Sequence, residues 1–419
     1  MSQRTLAKNL AEVKPGTVFV GIDLALDRNV VVAVDEHAKR LARFRFNNDQ
    51  DGYQYFRRRL RKLQKEHAAP AVLVGMEPTN YFWKLVAADL EAHEVSYRLV
   101  NPYTVKKHRE GNQLDRSKDD RRDASTIAEL LRTGKYTETR LLHGRYAELR
   151  EYVTLYERLR RDARRQKTLI SNIAGQVFPE LRRAFKDLSG QTALAMLRTH
   201  AAAAAIAELE VETLIADVRA AYSGKRLAVS KLRQAHALAA HSVGVREGIQ
   251  ALQCALRVHI VMLTVLELQI EQVKEELSET FLALPEAQYL LSVHGLGLLT
   301  AATILAEIGD PSHFSAGSQL VKLAGIQPVP NSSGRKSRSK TPMSRKGRPR
   351  LRTALFFAVM RLVQVDDAFA RRYQELQHRE KNPLLKLQAL GALMTKLLHI
   401  LWTLMRQRTF YNPDYQRAA

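Results

Sequence analysis

Several common features are scarce in this sequence of 419 residues, and each scarcity excludes a class of protein. Its one cysteine, Cys254, leaves no pair for a disulfide framework and no CxxC motif for a structural zinc site. The N-terminal segment lacks the apolar core of a signal peptide. Residues 289–306 are 18 residues without Asp, Glu, Lys or Arg, but Gly295 and Gly297 interrupt this short run. We therefore expect a cytoplasmic protein without a membrane span, and two short buried helices around a glycine turn at 289–306.

Acidic residues are also scarce relative to basic ones. The chain has 66 Lys and Arg against 43 Asp and Glu, which gives a formal charge of +23. Because such an excess needs a polyanionic partner, nucleic acid is the first expectation and an anionic membrane the second. The length and the 45% of hydrophobic residues allow two or three domains with real cores, which excludes a wholly disordered chain.

Residues 17–135 have the pattern of an α/β domain. Three alternating runs, TVFVGIDLAL, NVVVAVDE and RLARFRF, predict an antiparallel meander. A basic amphipathic helix at about 51–66, the strand AVLVGM, a helix at about 81–93, the strand VSYRLVNP and a helix opening near Lys118 follow. The order βββαβαβα is that of the ribonuclease H-like fold, although other α/β arrangements share this periodicity.

From about residue 146 the pattern predicts long helices. Apolar residues recur every seven positions in two segments, from 149 to 173 and from 249 to 277, which favours a coiled coil. Its partner could be the other helix or a second subunit. Residues 180–245 are Ala-rich and helical in pattern, with no functional assignment. We thus expect an α/β catalytic domain at 1–140, a helical coiled-coil and oligomerisation region at 141–281, and a helical domain at 282–419.

Four carboxylates lie at positions where a metal site is expected. Asp23 ends the first strand, Glu77 ends the fourth, and Asp120 and Asp123 share a face at the start of a helix. If the strands pair as predicted, Asp23 and Glu77 are neighbours at one sheet edge, and a cluster of four would need Mg²⁺ to remain ionised. Each residue alone could equally be a turn or helix N-terminal residue, and Asp119 could take the place of Asp120.

A basic segment near the C-terminus predicts a phosphate-binding surface. Residues 311–365 contain no Asp or Glu and eleven Lys or Arg. A serine in its loop NSSGRKSRSK could act as a nucleophile among these cations, or the loop could be only a flexible basic one. Upstream, Gly295 and Gly297 have the spacing of a helix-hairpin-helix element that holds backbone phosphates, although an ordinary helical hairpin fits as well. The expected nucleic-acid contacts are Gly295, Gly297, Arg335, Lys336, Arg338, Lys340, Arg345, Lys346, Arg348, Arg350 and Arg352.

Several of these motifs occur together in one known family. GIDLA, GMEPT, SKDDRRDASTIAELL, the segment GLGLLTAATILAEIGDPSHF and the basic segment LAGIQPVPNSSGRKS to SRKGRPRLRTAL appear in this order. Together they resemble the DEDD transposases of the insertion-sequence family that includes bridge-RNA-guided recombinases and Piv-type DNA invertases. The resemblance covers both ends of the chain. It implies an N-terminal RuvC-like domain and a C-terminal helical transposase domain.

The resemblance also implies residue roles and partners. The acidic tetrad falls on Asp23, Glu77, Asp120 and Asp123. The family's serine, which lies next to a glycine and forms a covalent phosphoserine with DNA, falls on Ser333, with Ser332 less favoured; Ser344 is expected to contact phosphate. Further implied partners are donor and target DNA, a guide (bridge) RNA that pairs with both, and other copies of the chain in a dimer or tetramer.

Three functions therefore follow from the sequence, in order of preference. The first is a site-specific DNA recombinase that uses Mg²⁺ and Ser333. The second is a RuvC-like, metal-dependent nuclease or resolvase in which the tetrad activates water and Ser333 has no chemical role. The third is a non-catalytic nucleic-acid-binding protein that assembles through its coiled coil. The sequence does not distinguish transposition from inversion and does not define the target.

Overall fold

The computed structural model describes residues 3–78, 80–112, 120–136, 141–224, 226–329, 332–333, 336–337 and 342–414. Of residues 3–5, 109–112, 120–122, 332–333 and 336–337 it describes the backbone alone. The chain divides into two compact units, residues 1–142 and 143–419. An N-terminal α/β part and a mainly helical remainder are confirmed.

The N-terminal unit is built around one mixed sheet. Its described elements are α1 (Gln3–Ala11), β1 (Val18–Asp23), β2 (Arg28–Val34), β3 (Arg40–Asn47), α2 (Gln50–Glu66), β4 (Val72–Met76), α3 (Phe82–Ala92), β5 (Tyr97–Leu99), α4 (Pro102–Asn112) and α5 (Asp120–Arg132). The strands lie in the order β3-β2-β1-β4-β5. β1 to β3 form the predicted antiparallel meander, and β4 and β5 continue the sheet in parallel with β1. The predicted order of strands and helices is confirmed, with α1 and α4 as additional helices.

The two faces of this sheet are covered by different helices. Alternate residues of the strands, such as Ile22 and Met76, pack against α2 and α3. The intervening residues, such as Phe19 and Leu73, pack against α5. Because side chains alternate between faces along a strand, every second residue of β1 and β4 is directed toward α5.

The second unit is helical in its described part, except for one short pair of strands. Its elements are α6 (Gly144–Val177), α7 (Leu181–Ala184), α8 (Gln191–Thr199), α9 (Ala203–Glu208), α10 (Val211–Ala220), α11 (Val229–Ala239), α12 (Ile249–Leu282), α13 (Ala287–Leu291), α14 (Leu298–Ile308), a 3₁₀ turn (Pro311–His313), α15 (Gly317–Ala324), β6 (Ser332–Ser333), β7 (Lys336–Ser337), α16 (Pro349–Val365), α17 (Asp367–His378) and α18 (Lys386–Gln407). The Ala-rich segment forms α7 to α11, which pack on one end of α6 and α12. The helices after α12 pack on the other end.

The two long helices with heptad patterns pair with each other in antiparallel orientation. Near the start of α6, Tyr152 Oη donates to Glu276 Oε2 at 3.4 Å, and further along α6, Gln166 Oε1 lies 2.8 Å from His259 Nδ1, so the residue number falls on α12 as it rises on α6. The heptad residues Leu149, Tyr156, Ala163 and Ile170 of α6 and Leu256, Leu263 and Leu277 of α12 are buried. The partner of each heptad face, which the sequence left open, is thus the other helix of the same chain.

The apolar helices of this unit differ in how much of their surface is buried. Residues 289–306 form parts of α13 and α14 around a glycine turn, as predicted. Two other helices, α12 and α18, are long and apolar enough to cross a membrane by length and composition, which is weak evidence on its own. α18 supplies buried core residues such as Leu393, Leu397 and Leu401, and α12 is packed against α6 along one face.

Candidate functional site

Two of the predicted carboxylates are neighbours at the carboxyl edge of the sheet. Asp23 is the last residue of β1, and Glu77 directly follows β4. Since Ile22 is paired with Met76 in the parallel ladder, Asp23 and Glu77 occupy the next register position on adjacent strands. Neighbouring strands lie about 4.8 Å apart. Both residues are half-buried and belong to the face that α5 covers.

Two glycines inside the strands allow α5 to approach this face closely. A Cβ on Gly21 would overlap the carbonyl oxygen of Ala124 and would lie 2.5 Å from the Ala128 nitrogen. A Cβ on Gly75, the register partner of Gly21, would overlap the Leu131 side chain. Neither glycine was predicted as a site residue from the sequence, although glycine inside a strand often marks such a close approach.

The orientation of α5 brings its first turn to the same edge. Arg132, at its C-terminal end, donates from Nη1 to the carbonyl oxygen of Glu36 at 3.1 Å. Glu36 follows β2, which is antiparallel to β1, so the C-terminus of α5 lies at the opposite, amino edge of β1. The first turn, with Asp120 and Asp123, therefore lies toward the carboxyl edge that carries Asp23 and Glu77.

The side chains of this edge are described only in part. Asp123 is half-buried, the side chain of Asp120 is not among the described ones, and Asp119 lies outside the described residues. Among the described side chains, no three His, Cys, Asp or Glu residues are close enough to hold a metal ion. The fold thus brings three carboxylate positions to one face and one edge of the sheet: Asp23, Glu77 and Asp123. Asp120 lies one helical turn before Asp123.

The predicted nucleophile lies between α15 and α16, in a segment that we call the serine hairpin and define by its described residues, 325–329, 332–333, 336–337 and 342–348. Its two sides, and the end of α15, are joined by backbone hydrogen bonds of 2.7 to 2.9 Å: Arg348 N to Leu323 O, Arg345 N to Gly325 O, Ser344 N to Gln327 O and Val329 N to Pro342 O. Nearer the tip, Ser333 in β6 is paired with Lys336 in β7. The side chains of 330–341, which include Arg335, Arg338 and Lys340, lie outside the described ones.

The base of the serine hairpin is tightly packed. Gly325 has a φ of +67°, and a Cβ there would lie 2.7 Å from the Gly347 nitrogen. Arg352, in the first turn of α16, donates from Nη1 to the Ala324 carbonyl oxygen at 2.8 Å. The two strands thus touch backbone to backbone where they leave α15 and enter α16.

The basic residues at this base differ in their surroundings. Arg345 and Lys346 are exposed. Arg350 instead lies with Nε 2.7 Å from Glu157 Oε2 of α6, and Arg352 binds the hairpin base. Burial, together with the charge of Arg150, lowers the pKa of the Arg348 guanidinium to about 10. The structure therefore shows that Arg348, Arg350 and Arg352 are bonded within the protein, whereas Arg345 is exposed.

The glycine turn before α14 has an open side. Gly295 has a φ of +93°, and a Cβ there would overlap the Val365 side chain. Gly297, the N-cap residue of α14, is exposed and has nothing within 4 Å of a built Cβ. Backbone amides at an open helix N-terminus are suited to bind an anion.

A second apolar stripe runs along α12 on the side away from α6. Val258, Val261, Val265 and Leu268 are spaced three and four residues apart, and 47 to 68% of each is exposed. Each lies about half a helical turn from a buried residue such as Leu263. We call these four residues the α12 stripe. The described part of the chain places no core cluster on it.

Two protein-family models match the chain at the positions of these sites. A DEDD transposase model of IS110 matches residues 20–179, which include the carboxylate edge. The transposase model of the IS116/IS110/IS902 family matches residues 287–374, which include the glycine turn and the serine hairpin. The two matches together identify the class of protein as a DEDD transposase. The chain belongs to the IS110/IS116 family of insertion-sequence transposases and DNA invertases.

Two individual relatives cover most of the chain, and a third covers one third of it. A Streptomyces clavuligerus protein, the 44.8 kDa uncharacterized protein of insertion element IS116, is 27% identical over 94% of this chain and 96% of its own length. A candidate transposase for the IS117 mini-circle of Streptomyces coelicolor is 27% identical over 76% of this chain and 78% of its own. A pilin gene-inverting protein of Moraxella lacunata is 29% identical over 33% of this chain and 44% of its own.

Proposed function

We propose that this transposase is a site-specific recombinase that cuts and rejoins DNA through a covalent phosphoserine intermediate. Asp23, Glu77, Asp120 and Asp123 bind Mg²⁺ in a RuvC-like, ribonuclease H-like domain, and Ser333 is the nucleophile. The observation that carries the proposal is the register that makes Asp23 and Glu77 neighbours on the face covered by α5. The match of residues 287–374, which include the serine hairpin, to the second transposase model supports the role of Ser333.

The carboxylate edge fits a hard divalent cation. Carboxylate oxygens are the donors that Mg²⁺ prefers, and neighbouring carboxylates repel one another unless a cation lies between them. Bound Mg²⁺ would stabilise negative charge on the scissile phosphate. The protein's own contribution is orientation, because the sheet fixes Asp23 and Glu77 while α5 fixes the other two residues.

The serine step conserves the phosphodiester bond. Ser333 Oγ forms a bond to phosphorus as the bond from phosphorus to one DNA oxygen breaks, and the serine proton passes to that leaving oxygen. A DNA hydroxyl can later attack the phosphoserine in the reverse sense, so rejoining needs no ATP. Cations near the hairpin, including the exposed Arg345 and Lys346, stabilise the charge that develops on the phosphate.

Nucleic acid is bound mainly through its backbone. The charge of +23 supports this. Gly295 and Gly297, in the open turn before α14, and the exposed basic residues of the hairpin such as Arg345 contact phosphates. A guide (bridge) RNA that pairs with donor and target DNA would supply the base recognition.

The chain acts as a homo-oligomer in the cytoplasm, as a dimer or tetramer. Since α6 and α12 satisfy each other's heptad faces, the support for association is the α12 stripe. A second copy would cover these exposed apolar residues if its own stripe lay against them.

A trapping assay tests the proposal. Native protein, Ser333→Ala and Ser332→Ala are mixed with end-labelled donor and target DNA, RNA transcribed from the flanking DNA, and Mg²⁺, and the products are separated on a denaturing gel. We expect a covalent protein–DNA band from the native protein and Ser332→Ala, its loss in Ser333→Ala, and its loss when Mg²⁺ is chelated. Free cleaved DNA from all three proteins without a covalent band would instead indicate a metal-dependent nuclease.

A further inference from the structure

Glu307 is a buried carboxylate that the proposed chemistry does not use. It lies in the last turn of α14, whose other buried residues are apolar, and its side chain is only 4% exposed. A carboxylate buried this deeply is unfavourable unless it is ion-paired and hydrogen-bonded. Its partners come from two other helices of the same unit.

Three arginines surround Glu307. Arg350 Nη1 lies 3.1 Å from Oε1, while Arg150 Nη2 and Arg348 Nη1 lie 3.7 and 3.9 Å from Oε2. Arg348 also donates to the carbonyl oxygen of Glu307. Glu157, which pairs with Arg350, is the second carboxylate of the group. Two carboxylates thus hold three guanidiniums and link α6, α14 and α16.

This cluster meets the serine hairpin where its returning strand becomes α16. Arg348 is the N-cap residue of α16, and its backbone nitrogen donates to Leu323 O at 2.7 Å. The preceding residue, Gly347, touches the backbone of Gly325 across the hairpin. The returning strand therefore cannot slide along its partner without pulling Arg348 and Arg350 away from a buried carboxylate.

We propose that Glu307 is a positioning residue for the serine hairpin. By holding Arg348 and Arg350, it fixes the returning strand and, through it, the placement of Ser333 near the tip. The expected effect of Glu307 on catalysis rests on the proposed function, whereas its expected effect on the order of the hairpin does not. The inference also assigns Arg348 and Arg350 to ion pairs inside the protein, where the sequence analysis expected phosphate contacts.

The test replaces Glu307 by Gln in the full-length chain, which keeps the shape and removes the charge. Hydrogen exchange measured on peptides covering residues 342–350 should accelerate by at least about tenfold, because the hairpin base opens more often. The rate of covalent adduct formation at saturating DNA should fall at least about tenfold, while the DNA concentration for half-maximal rate changes little. As a matched control, Glu375→Gln removes an exposed carboxylate that pairs with Arg372 and should change neither quantity.

A charge rescue separates positioning from general loss of stability. Glu307→Gln leaves three guanidiniums with Glu157 alone, so adding Arg150→Gln should restore part of the exchange protection and part of the rate. Arg350→Lys is the second variant: it keeps the charge but cannot bridge Glu157 and Glu307, and it should loosen the same peptides even if Glu307→Gln fails to fold.

The outcomes distinguish this inference from the proposed function. Unchanged exchange at 342–350 in folded Glu307→Gln would overturn the inference, as would a full rate of adduct formation. If the native protein forms no adduct at all while exchange still accelerates in the variant, the proposed function fails and Glu307 is a structural residue only. Salt dependence gives a further check: Arg350→Gln should leave the slope of log affinity against log salt unchanged, whereas Arg345→Gln should reduce it by about 0.9.

Discussion

Replacing Gly21 by Ala should displace α5 from the sheet. The added methyl group would overlap the Ala124 carbonyl oxygen and lie 2.5 Å from the Ala128 nitrogen, where ordinary contact begins at 3.4 Å, so α5 must move by at least about 0.9 Å. The atoms in the way belong to the helix backbone and cannot rotate aside. Overpacking of this kind costs about 1–3 kcal/mol. Alanine also lowers the conformational entropy of the unfolded chain, which offsets about 0.4–1 kcal/mol of this cost. We therefore expect the free energy of unfolding to fall by about 1–2 kcal/mol.

The same displacement should reduce activity more than stability. Because Gly21 is two residues before Asp23, a shift of α5 at this point moves Asp120 and Asp123 relative to the carboxylates on the strands. A misplacement of about 1 Å can reduce a reaction rate by about 100-fold. Under the proposed function, Gly21→Ala should therefore still fold at ordinary temperature but form the covalent adduct far more slowly.

The two tryptophans allow the N-terminal unit to be followed by itself. Trp83 lies in that unit and Trp402 in the other, so denaturant unfolding is followed by fluorescence in a Trp402→Phe background. The control is Gly175→Ala in α6 of the second unit, where an added Cβ has nothing within 4 Å; it should leave the unfolding midpoint reported by Trp83 unchanged. An unchanged unfolding midpoint for Gly21→Ala would refute the close-approach argument.

Two further predictions concern association and pH. Val261→Glu with Val265→Glu places charges in the α12 stripe and should convert oligomers to monomers in sedimentation, whereas Thr213→Glu, exposed on α10, should not; association that survives the double change would exclude the stripe as the interface. Burial and the charge of Asp89 raise the pKa of Tyr53 to about 12. Since an unfolded tyrosine ionises near pH 10, its contribution to stability is full below pH 10 and is lost as pH rises toward 12. Tyr53→Phe should flatten the stability curve of the N-terminal unit in that window, and an equally steep curve would argue against the shift.

Much of the N-terminal fold could be predicted because its pattern is local. The alternation in β1 to β3 and the apolar run of β4 are visible over five to eight residues each. Helix α4 was not predicted because it lacks a repeated apolar pattern: among its described side chains, Val105 is the one that is buried. The neighbouring positions of Asp23 and Glu77 followed from the strand order, but the close approach of α5 depends on Gly21 and Gly75, whose role appears only when the helix is placed.

The heptad patterns predicted helix pairing but not the partner. A period of seven residues defines a face on one helix and contains no information about which helix lies against it. α12 carries two such faces, one centred on residues such as Leu256 and Leu263 and the other on the α12 stripe. The first is covered by α6, so the expectation of a dimer now depends on the second.

Charge density in the basic segment could not separate cations that face a ligand from cations that hold the protein together. Arg345 and Arg350 are five residues apart in the same acid-free run, yet Arg345 is exposed and Arg350 lies between two carboxylates. The residue that would have indicated internal ion pairs lies outside this run. It is Glu307, an isolated acid in the apolar sequence TAATILAEIG. A buried acid needs a cationic partner, and the nearest excess of cations along the chain is the basic segment. On this argument, the number of phosphates that the segment contacts is smaller than its eleven basic residues, and the salt dependence of DNA binding should reflect only those that Glu307 and Glu157 leave exposed.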